Sequence, residues 1–256
     1  YFIHLQIMKI IIITQNEPFY LVNNLKYLLK ILPNHIKIIG CVVSDVSPFG
    51  KKESFFKKTI KTYKIFGKRF FLYYGIRFIY YKLFKKNLYS FLSENNIERI
   101  TLHKPINSFD SINQIKKYNP DLLLSILGNE IFKKDIINLA PLGCINLHTS
   151  LLPKYRGLMP TFWVLKNNEK YTGVSVFYVD EGIDSGPIIV QKKIMITEKN
   201  QKKLIQISKK IGMDAICEAL ILIFNNKVRL IKNNNEKKSY FNFPSRKDVI
   251  EFRNSG

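Results

Sequence analysis

At residues 8–14 the chain reads MKIIIIT, a continuous apolar run in which only Lys9 is charged. Strands covered by helices on both faces of a parallel sheet have this unbroken apolar composition, whereas half-exposed strands alternate between apolar and polar residues. Two shorter runs of the same kind are DLLLSIL at 121–127 and GCINLH at 143–148. We therefore predict that all three runs are buried strands of one sheet.

Helical segments separate the predicted strands. Apolar residues recur at helical spacing in FYLVNNLKYLLKIL (19–32) and stop before Pro33, and another strand, HIKIIGCVVS (35–44), follows. A short helical stretch around 132–139 lies between the two later strands. Strands that alternate with helices of this length predict an α/β fold, a Rossmann-like, mostly parallel sheet flanked by helices. The GxGxxG motif is absent after the first strand, which argues against an ordinary dinucleotide site.

The pattern changes after residue 170. Two strand-like runs are YTGVSVFYVD (171–180) and PIIVQKKIMI (187–196), joined by the glycine-rich connection EGIDSG. A long helix is predicted over 201–226, with five apolar residues near one face: Leu204, Ile207, Ile211, Ala215 and Leu220. A short helix capped by Ser245 is expected near the end. We predict a main domain over 8–200, and a helix and tail over 201–256 that pack on it.

The composition is that of a globular protein. Hydrophobic residues make up 46% and charged residues 23% of 256 residues, enough for one large domain. The three cysteines show no CxxC spacing, which indicates reduced thiols in a cytoplasmic protein. No metal site is predicted, because the four histidines lie far apart: His4, His35, His103 and His148. The apolar start, 1–14, is too short to span a bilayer, and no cleavable leader pattern follows.

The segment 51–90 is predicted to be a basic, aromatic helical insertion. It contains twelve Lys or Arg residues against one acid, Glu53, in a chain whose net charge is +22. Its longest uncharged stretch, FFLYYGI at 70–76, is too short to span a membrane. Three interpretations stay open: an aromatic face docked on the domain, a helix lying in a membrane surface, and an arm that binds anions or nucleic acid. The second would make this cytoplasmic protein membrane-peripheral.

Polar residues suited to catalysis cluster after residue 143. Asn146 and His148 are two apart, so on a strand they project from the same face, at the carboxyl end where open α/β sheets bind ligands. Asp184 lies in a tight loop between Gly182 and Gly186. An amide donor, an imidazole and a carboxylate together suit acyl transfer to a nitrogen nucleophile.

Each of these residues also has a structural interpretation. A histidine at a strand end is commonly hydrogen-bonded for structure, an asparagine there satisfies loop backbone groups, and an aspartate in a tight loop forms a turn. Asp180 and Glu181 are alternative carboxylates, and Cys144 is expected to be a small buried apolar residue. The residues alone therefore leave both a hydrolase and a transferase open.

A resemblance to a known family narrows this choice. The segment INLHTSLLPKYRG (145–157), followed by DEGIDSG (180–186), resembles the signature of the formyltetrahydrofolate-dependent formyltransferases. That family includes methionyl-tRNA formyltransferase, glycinamide ribonucleotide formyltransferase and the sugar N-formyltransferases. The similarity covers about residues 8–196 and is most specific over 143–186. It implies a Rossmann-like catalytic domain that transfers a formyl group from 10-formyltetrahydrofolate to an amine.

The resemblance also implies roles for individual residues. Asn146 and His148 match the asparagine and histidine that polarise the formyl carbonyl. Asp184 matches the aspartate that orients the histidine and a water and assists proton transfer. The co-substrate 10-formyltetrahydrofolate would lie, with no metal, against two segments and largely through backbone groups. These segments are 126–131, with Ile126, Leu127 and Gly128, and 180–184, with Asp180, Glu181, Gly182 and Ile183.

Two positions depart from the family pattern. Thr149 stands where many members have a small residue or proline, and we expect no effect of this change. Pro187 follows Gly186 where an aspartate is common, which removes an N–H and a charge beside the site. We expect the second change to alter folate or acceptor binding.

The acceptor is predicted by elimination. Glycinamide ribonucleotide formyltransferases carry a glycine-rich phosphate loop after the first strand, where this chain reads TQNEPFYLV (14–22). Methionyl-tRNA formyltransferases carry a separate C-terminal β-domain, for which the residues after Ile196 are expected to be too few. The prediction is therefore a small amine, an amino sugar linked to a nucleotide or a lipid, with nucleic acid ranked lower. The alternatives are a methionyl-tRNA formyltransferase, a formyltetrahydrofolate hydrolase and a non-catalytic relative; the oligomeric state is not predicted.

Overall fold

The computed structural model describes residues 7–44, 53–85, 87–128 and 130–254. Seven strands form the main sheet: β1 (Met8–Gln15), β2 (Ile36–Ser44), β3 (Glu98–Ile100), β4 (Leu122–Ile126), β5 (Cys144–His148), β7 (Tyr171–Tyr178) and β8 (Ile188–Met195). Two short strands, β6 (Arg156–Gly157) and β9 (Tyr240–Phe241), pair in a separate sheet.

The main sheet has the strand order β3-β2-β1-β4-β5-β7-β8. Strands β1 to β5 of this sheet are parallel to their neighbours, whereas β7 and β8 are antiparallel additions at one edge. A parallel pair needs a long crossover connection, and the short 181–186 loop can join only antiparallel strands. The structure confirms the predicted α/β class with a mostly parallel sheet.

Strand β1 lies between two hydrophobic clusters. Ile10 and Ile12 pack into the larger cluster, and Ile11 and Ile13 pack into the smaller one on the other face. None of the four is more than 5% exposed. Because successive side chains of a strand point to opposite faces, a strand covered on both sides requires the unbroken apolar run seen in the sequence.

Eight helices are assigned within the described ranges: α1 (Leu21–Ile31), α2 (Phe55–Phe84), α3 (Leu88–Glu94), α4 (Phe109–Lys116), α5 (Lys134–Ile137), α6 (Pro160–Lys166), α7 (Gln201–Phe224) and α8 (Arg246–Asn254). Helix α7 packs on β5, β7 and β8, beside α1. Its Gly212 allows close approach to the sheet, because a Cβ there would lie 2.7 Å from Leu147 Cδ2. No helix in the described part of the chain is long and apolar enough to cross a membrane.

Two helix predictions need correction. Helix α7 buries Leu204, Ala215 and Leu220 as predicted, but Ile207 is 36% exposed, because the buried face runs through Ser208 instead. Helix α1 begins at Leu21 rather than at residue 19. The Glu17 carboxylate accepts the N–H groups of residues 19, 20 and 21 at 2.9, 2.9 and 3.0 Å, which satisfies donors that a helix start leaves unpaired.

The predicted insertion is helical but folds back on itself. Gly67, with φ 78° and ψ 174°, interrupts α2 and divides it into 55–66 and 68–84. Ring contacts join Phe55 to Phe78 and Tyr63 to Phe71, at centroid distances of 6.5 and 5.6 Å. Pairing of early residues with late ones shows that the halves run antiparallel, and we call the segment 55–84 the α2 hairpin.

The boundaries of the insertion also differ from the prediction. A separate helix, α3, begins at Leu88 within the predicted insertion. Its residues Leu88, Phe91 and Leu92 are buried. Residues 51, 52 and 86 of the insertion lie outside the described ranges, as does His4. One aromatic face of α2 docks on the domain, since Phe66 is buried and Phe70 and Tyr74 are half-buried, while many other apolar side chains of α2 are exposed.

Candidate active site

Strand β5 places Asn146 and His148 on one face of the sheet at its carboxyl end. Asn146 is paired with Ser125 of β4 and Phe177 of β7. Leu147, between the two polar residues, packs against α7 at Gly212. Because side chains alternate along a strand, Asn146 and His148 point to the face opposite α7.

His148 is held from two sides. Its Nε2 lies 2.7 Å from the backbone carbonyl oxygen of Tyr155. A carbonyl oxygen can only accept, so Nε2 carries a proton and donates it. The other ring nitrogen, Nδ1, lies 3.6 Å from Oδ2 of Asp184. The Asp184 carboxylate therefore faces the Nδ1 edge of the ring, a position suited to orienting the imidazole.

Asp184 is positioned by backbone and side-chain contacts. Its Oδ2 accepts the N–H of Gly157 at 2.8 Å. Its backbone lies in the left-handed region, with φ 48°, which aspartate tolerates better than most residues. Asn233 Nδ2 donates to the carbonyl oxygens of Asp184 and Gly186, both at 2.9 Å. The loop is therefore held by a segment that lies 49 residues further along the chain.

A buried arginine links these contacts. Arg156 is 4% exposed, and its Nη2 and Nη1 donate to Asn233 Oδ1 and Asn235 Oδ1, both at 2.8 Å. Burial lowers the pKa of Arg156, while the charges of Asp184 and Asp180 oppose that shift. Sequence reasoning missed Arg156 and Asn233. Arg156 belongs to the quoted RG pair, but no local pattern points to Asn233.

The remaining residues of the 180–184 loop divide into two groups. Asp180 holds the loop together, since its Oδ1 accepts the Gly182 N–H at 3.1 Å and the Ser185 hydroxyl at 2.6 Å. Glu181, Gly182 and Ile183 are exposed. Exposed groups on a loop fixed by Asp180 are accessible to a ligand at this edge.

The predicted folate segment 126–131 follows β4. Ile126 is buried, and Leu127 has a φ of 61° with its carbonyl oxygen bound by the Gln15 side chain. Gly128 is exposed and lines a pocket of about 240 Å³ at the ends of β1, β2 and β4, together with Arg99 and Lys104. Asn146, His148 and Asp184 do not line this pocket, and Asn129 lies outside the described residues.

A smaller recess lies on the α7 side of the same edge. Leu127, Leu147, Thr149 and Lys209 are among the residues that line it. Burial lowers the pKa of Lys209, and the charge of Glu17 opposes this shift. On the other side, Cys144 is buried, and burial raises the pKa of its thiol to about 12, so it is not a nucleophile at neutral pH.

Comparison with known proteins assigns the family. The family model described as formyl transferase matches residues 91–220, about half of the chain. The chain belongs to the formyl transferase family. The matched range of this formyl transferase contains Asn146, His148 and Asp184, whereas the α2 hairpin and Asn233 lie outside it.

Proteins similar to this chain are named as formyltransferases of different kinds. Methionyl-tRNA formyltransferase of Kosmotoga olearia is 35% identical over 158 residues, 59% of this chain and 50% of the relative. A crystal structure of an N-formyltransferase from Helicobacter canadensis, in complex with folinic acid and dTDP-3-aminofucose, has 25% identity and a TM-score of 0.58 and covers 94% of this chain and 72% of that one.

A third comparison shows the fold alone. Phosphoribosylglycinamide formyltransferase from Anaplasma phagocytophilum is 16% identical, with a TM-score of 0.63, and covers 92% of this chain and 98% of that one. The chain spans about half the length of the curated relatives it matches first. The family is therefore shown, while the acceptor differs between similar proteins.

Proposed function

We propose that this protein transfers a formyl group from 10-formyltetrahydrofolate to an amine, with an amino sugar as the acceptor. The observations that carry the proposal are the placement of Asn146 and His148 on one face at the carboxyl end of β5 and the distance of 3.6 Å between His148 Nδ1 and Asp184 Oδ2. Membership of the formyl transferase family supports the same reaction.

The reaction needs stabilisation of a negative charge. Attack of a neutral amine on the formyl carbon forms a C–N bond and leaves an oxyanion on the former carbonyl oxygen. The Asn146 side chain has no hydrogen-bond partner among the described residues, so its amide is available to donate to that oxyanion. A well-placed donor of this kind stabilises the transition state by about 3–4 kcal/mol. We propose His148, two residues further along the same face of β5, as the second group that polarises the formyl carbonyl.

Proton transfer completes the reaction. The attacking nitrogen gains a positive charge and must lose a proton, while the folate nitrogen must gain one as its bond to the formyl carbon breaks. We propose that His148 and Asp184, whose Nδ1 and Oδ2 atoms are 3.6 Å apart, assist the movement of this proton. The contact from His148 Nε2 to Tyr155 keeps the Nδ1 edge of the ring turned toward Asp184.

The folate fits the groups at this edge. A pteridine ring needs backbone donors and acceptors, and the exposed residues Gly128, Glu181 and Gly182 present backbone groups to solvent. The glutamyl tail of a folate is anionic, and the 240 Å³ pocket beside Gly128 contains Arg99 and Lys104. We propose that 126–131 and 180–184 bind 10-formyltetrahydrofolate in this way, without a metal.

The acceptor assignment rests on fewer observations. The Helicobacter canadensis relative was crystallised with an amino-sugar nucleotide, which favours that class. Thr149, which follows His148 at the end of β5, lines the recess with Lys209, whose positive charge is suited to an anionic group of an acceptor bound at this edge. Methionyl-tRNA is the second candidate, favoured by the 35% identity to the Kosmotoga olearia protein.

Cellular and domain assignments stay predictions. We propose a cytoplasmic location, which the free cysteines favour, and a catalytic domain over 8–200 on which a helix and tail over 201–256 pack. The tail contacts the rest through Lys166, whose Nζ lies 2.7 Å from Asp248.

The test is formyl transfer by the purified protein. The substrates are 10-formyltetrahydrofolate with nucleotide-linked amino sugars, a lipid-linked amino sugar or charged initiator tRNA. Turnover with an amino sugar, absent in Asn146→Ala, is the expected result. Turnover only with tRNA would replace the acceptor, and formate release without any amine would identify a hydrolase. Folate binding without any turnover would overturn the enzymatic proposal.

A further inference from the structure

The α2 hairpin attaches to the domain by one face of its second helix. Phe70, Tyr74, Arg77 and Tyr81 follow helical spacing and are only partly exposed. Phe70 and Tyr74 stack at 4.2 Å, and Tyr81 meets Phe19 edge-on at 5.4 Å. These contacts define an inner face that packs against the segment following β1.

Arg77 fixes this inner face. Its guanidinium lies 4.6 Å from the Phe19 ring centre and 5.0 Å from that of Tyr20, and Nη1 donates to the Tyr20 hydroxyl at 3.2 Å. At the turn, Arg246 and Arg253 of α8 donate to the carbonyl oxygens of residues 65 and 66, at 3.1 and 2.7 Å. The hairpin is therefore held in one orientation, which determines the face it presents outward.

The outward face carries a row of aliphatic side chains. Leu72, Ile76, Ile79 and Leu83 are 60, 61, 58 and 68% exposed. Their spacing of four, three and four residues places them along one side of the helix, opposite Phe70, Tyr74, Arg77 and Tyr81. We call these four residues the outer stripe. Exposed aliphatic residues aligned in this way indicate a surface that is covered by a partner.

Charged and aromatic groups surround the outer stripe. Residues 53–85 contain nine basic residues and one acid, Glu53, which pairs with Lys61 at 3.2 Å. The basic residues are Lys57, Lys58, Lys61, Lys64, Lys68, Arg69, Arg77, Lys82 and Lys85. Tyr73 and Tyr80 are 48 and 47% exposed beside the stripe. Aliphatic residues flanked by tyrosine and lysine have the composition of helices that lie in a bilayer interface.

We propose that the α2 hairpin binds the surface of an anionic lipid bilayer, with the outer stripe inserted at the level of the headgroups. Exposed basic side chains such as Lys68 and Arg69, but not Arg77 of the inner face, lie against lipid phosphates. The second helix, 68–84, is about 25 Å long, enough to lie along the surface with all four aliphatic residues in contact. Binding of this kind combines burial of apolar area with attraction to anionic lipids. This binding to a bilayer does not depend on which amine accepts the formyl group.

Two other occupants fit the surface less well. A second copy would bring another chain of net charge +22 and another nine basic residues against the first, which repel. Nucleic acid would satisfy the charges, but single strands bind by stacking bases on aromatic rings. Tyr73 and Tyr80 offer rings beside the stripe, but nucleic acid stacked on them would leave the four aliphatic side chains of the outer stripe in water.

The test is sedimentation of the full chain with vesicles. Phosphatidylcholine vesicles with and without phosphatidylglycerol are compared at low and high salt. The double variant Ile76→Gln/Ile79→Gln removes half of the stripe and keeps good helix formers. The matched control Met195→Gln/Leu230→Gln changes two aliphatic residues that are 62 and 55% exposed elsewhere. Circular dichroism and melting curves check that all variants fold.

We expect the wild type and the control to bind the anionic vesicles, and the stripe variant to bind at least about tenfold more weakly. Lys68→Gln/Arg69→Gln should weaken binding mainly at low salt. Equal binding by the stripe variant would overturn the insertion of the stripe, as would vesicle binding that high salt abolishes completely. No vesicle binding by the wild type would overturn the proposal, and so would self-association or RNA binding that the stripe variant abolishes.

Discussion

The site at the end of β5 and the α2 hairpin are built in opposite ways. At the site, His148 and Asp184 are fixed by hydrogen bonds at 2.7–2.9 Å from Tyr155, Gly157 and Asn233. The hairpin is held by ring packing and arginine contacts, and it leaves a row of aliphatic side chains in solvent. Substitutions at the site should therefore change chemistry, whereas substitutions in the hairpin should change stability or surface binding.

The largest effect is expected at the catalytic pair. Asp184→Asn and His148→Ala should each lower the turnover number by about two orders of magnitude or more. Asparagine keeps an oxygen for the Gly157 N–H, so the melting temperature should change little, but its amide cannot accept a proton during the reaction. Steady-state kinetics with the preferred acceptor, beside a thermal melt, measures both. Near-normal turnover in either variant would contradict the assigned roles.

Loss of Asn233 tests whether the distant segment supports the site. Asn233→Ala removes the donor to two carbonyl oxygens and one partner of the buried Arg156. We expect the free energy of unfolding to fall by about 1–3 kcal/mol. Turnover should also fall, because the Asp184 loop loses a contact that holds it in place.

The neighbouring Asn235 provides the control for this change. It accepts a single hydrogen bond from Arg156, is exposed and does not contact the loop. Asn235→Ala should therefore reduce stability slightly and leave turnover unchanged. If both variants lose turnover equally, the effect comes from Arg156 rather than from the loop contacts of Asn233.

Two glycines in the hairpin form a matched pair. Gly67 has a φ of 78°, and a Cβ there would lie 2.9 Å from Arg246 Nη1, whereas a Cβ on Gly75 meets nothing within 4 Å. Gly67→Ala should destabilise the protein by about 1–2 kcal/mol. Gly75→Ala should stabilise it by about 0.5–1 kcal/mol. Chemical denaturation measures both, and turnover with a soluble acceptor should be unchanged in each.

The smallest effect on stability is expected at Lys209. Burial lowers its pKa in the folded protein, so the charged form costs stability at any pH below that pKa. The cost falls as the pH rises from the folded pKa toward the unfolded value of about 10.4. Lys209→Met removes the charge at similar length, so the melting temperature at pH 7 should rise slightly and its dependence on alkaline pH should weaken.

The same variant separates a binding role from a structural one. If Lys209 contacts an anionic group of the acceptor, Lys209→Met should raise KM for the acceptor and leave KM for the folate unchanged. An unchanged KM for both substrates would leave Lys209 without a role in acceptor binding.

Local patterns predicted the central elements well because those elements are buried on both faces. The unbroken apolar runs of β1, β4 and β5 correspond to strands, and the EGIDSG connection joins an antiparallel pair. The short elements β3, α3, α4 and α6 were not predicted. Their periodicity covers too few residues to separate them from loops, and contact with the sheet stabilises them.

The sequence by itself determined the α/β class and the family resemblance. It also determined that Asn146 and His148 lie on the same face of a strand, since residues two apart on a strand share a face. Tertiary structure alone decided which segments hold Asp184, because Asn233 lies 49 residues away and its contact leaves no periodic trace. It also decided that the α2 segment reverses at Gly67 and turns Leu72 and Ile76 to solvent. The spacing of apolar residues indicates that a helix has two different faces, but only packing in the folded protein determines which face is covered.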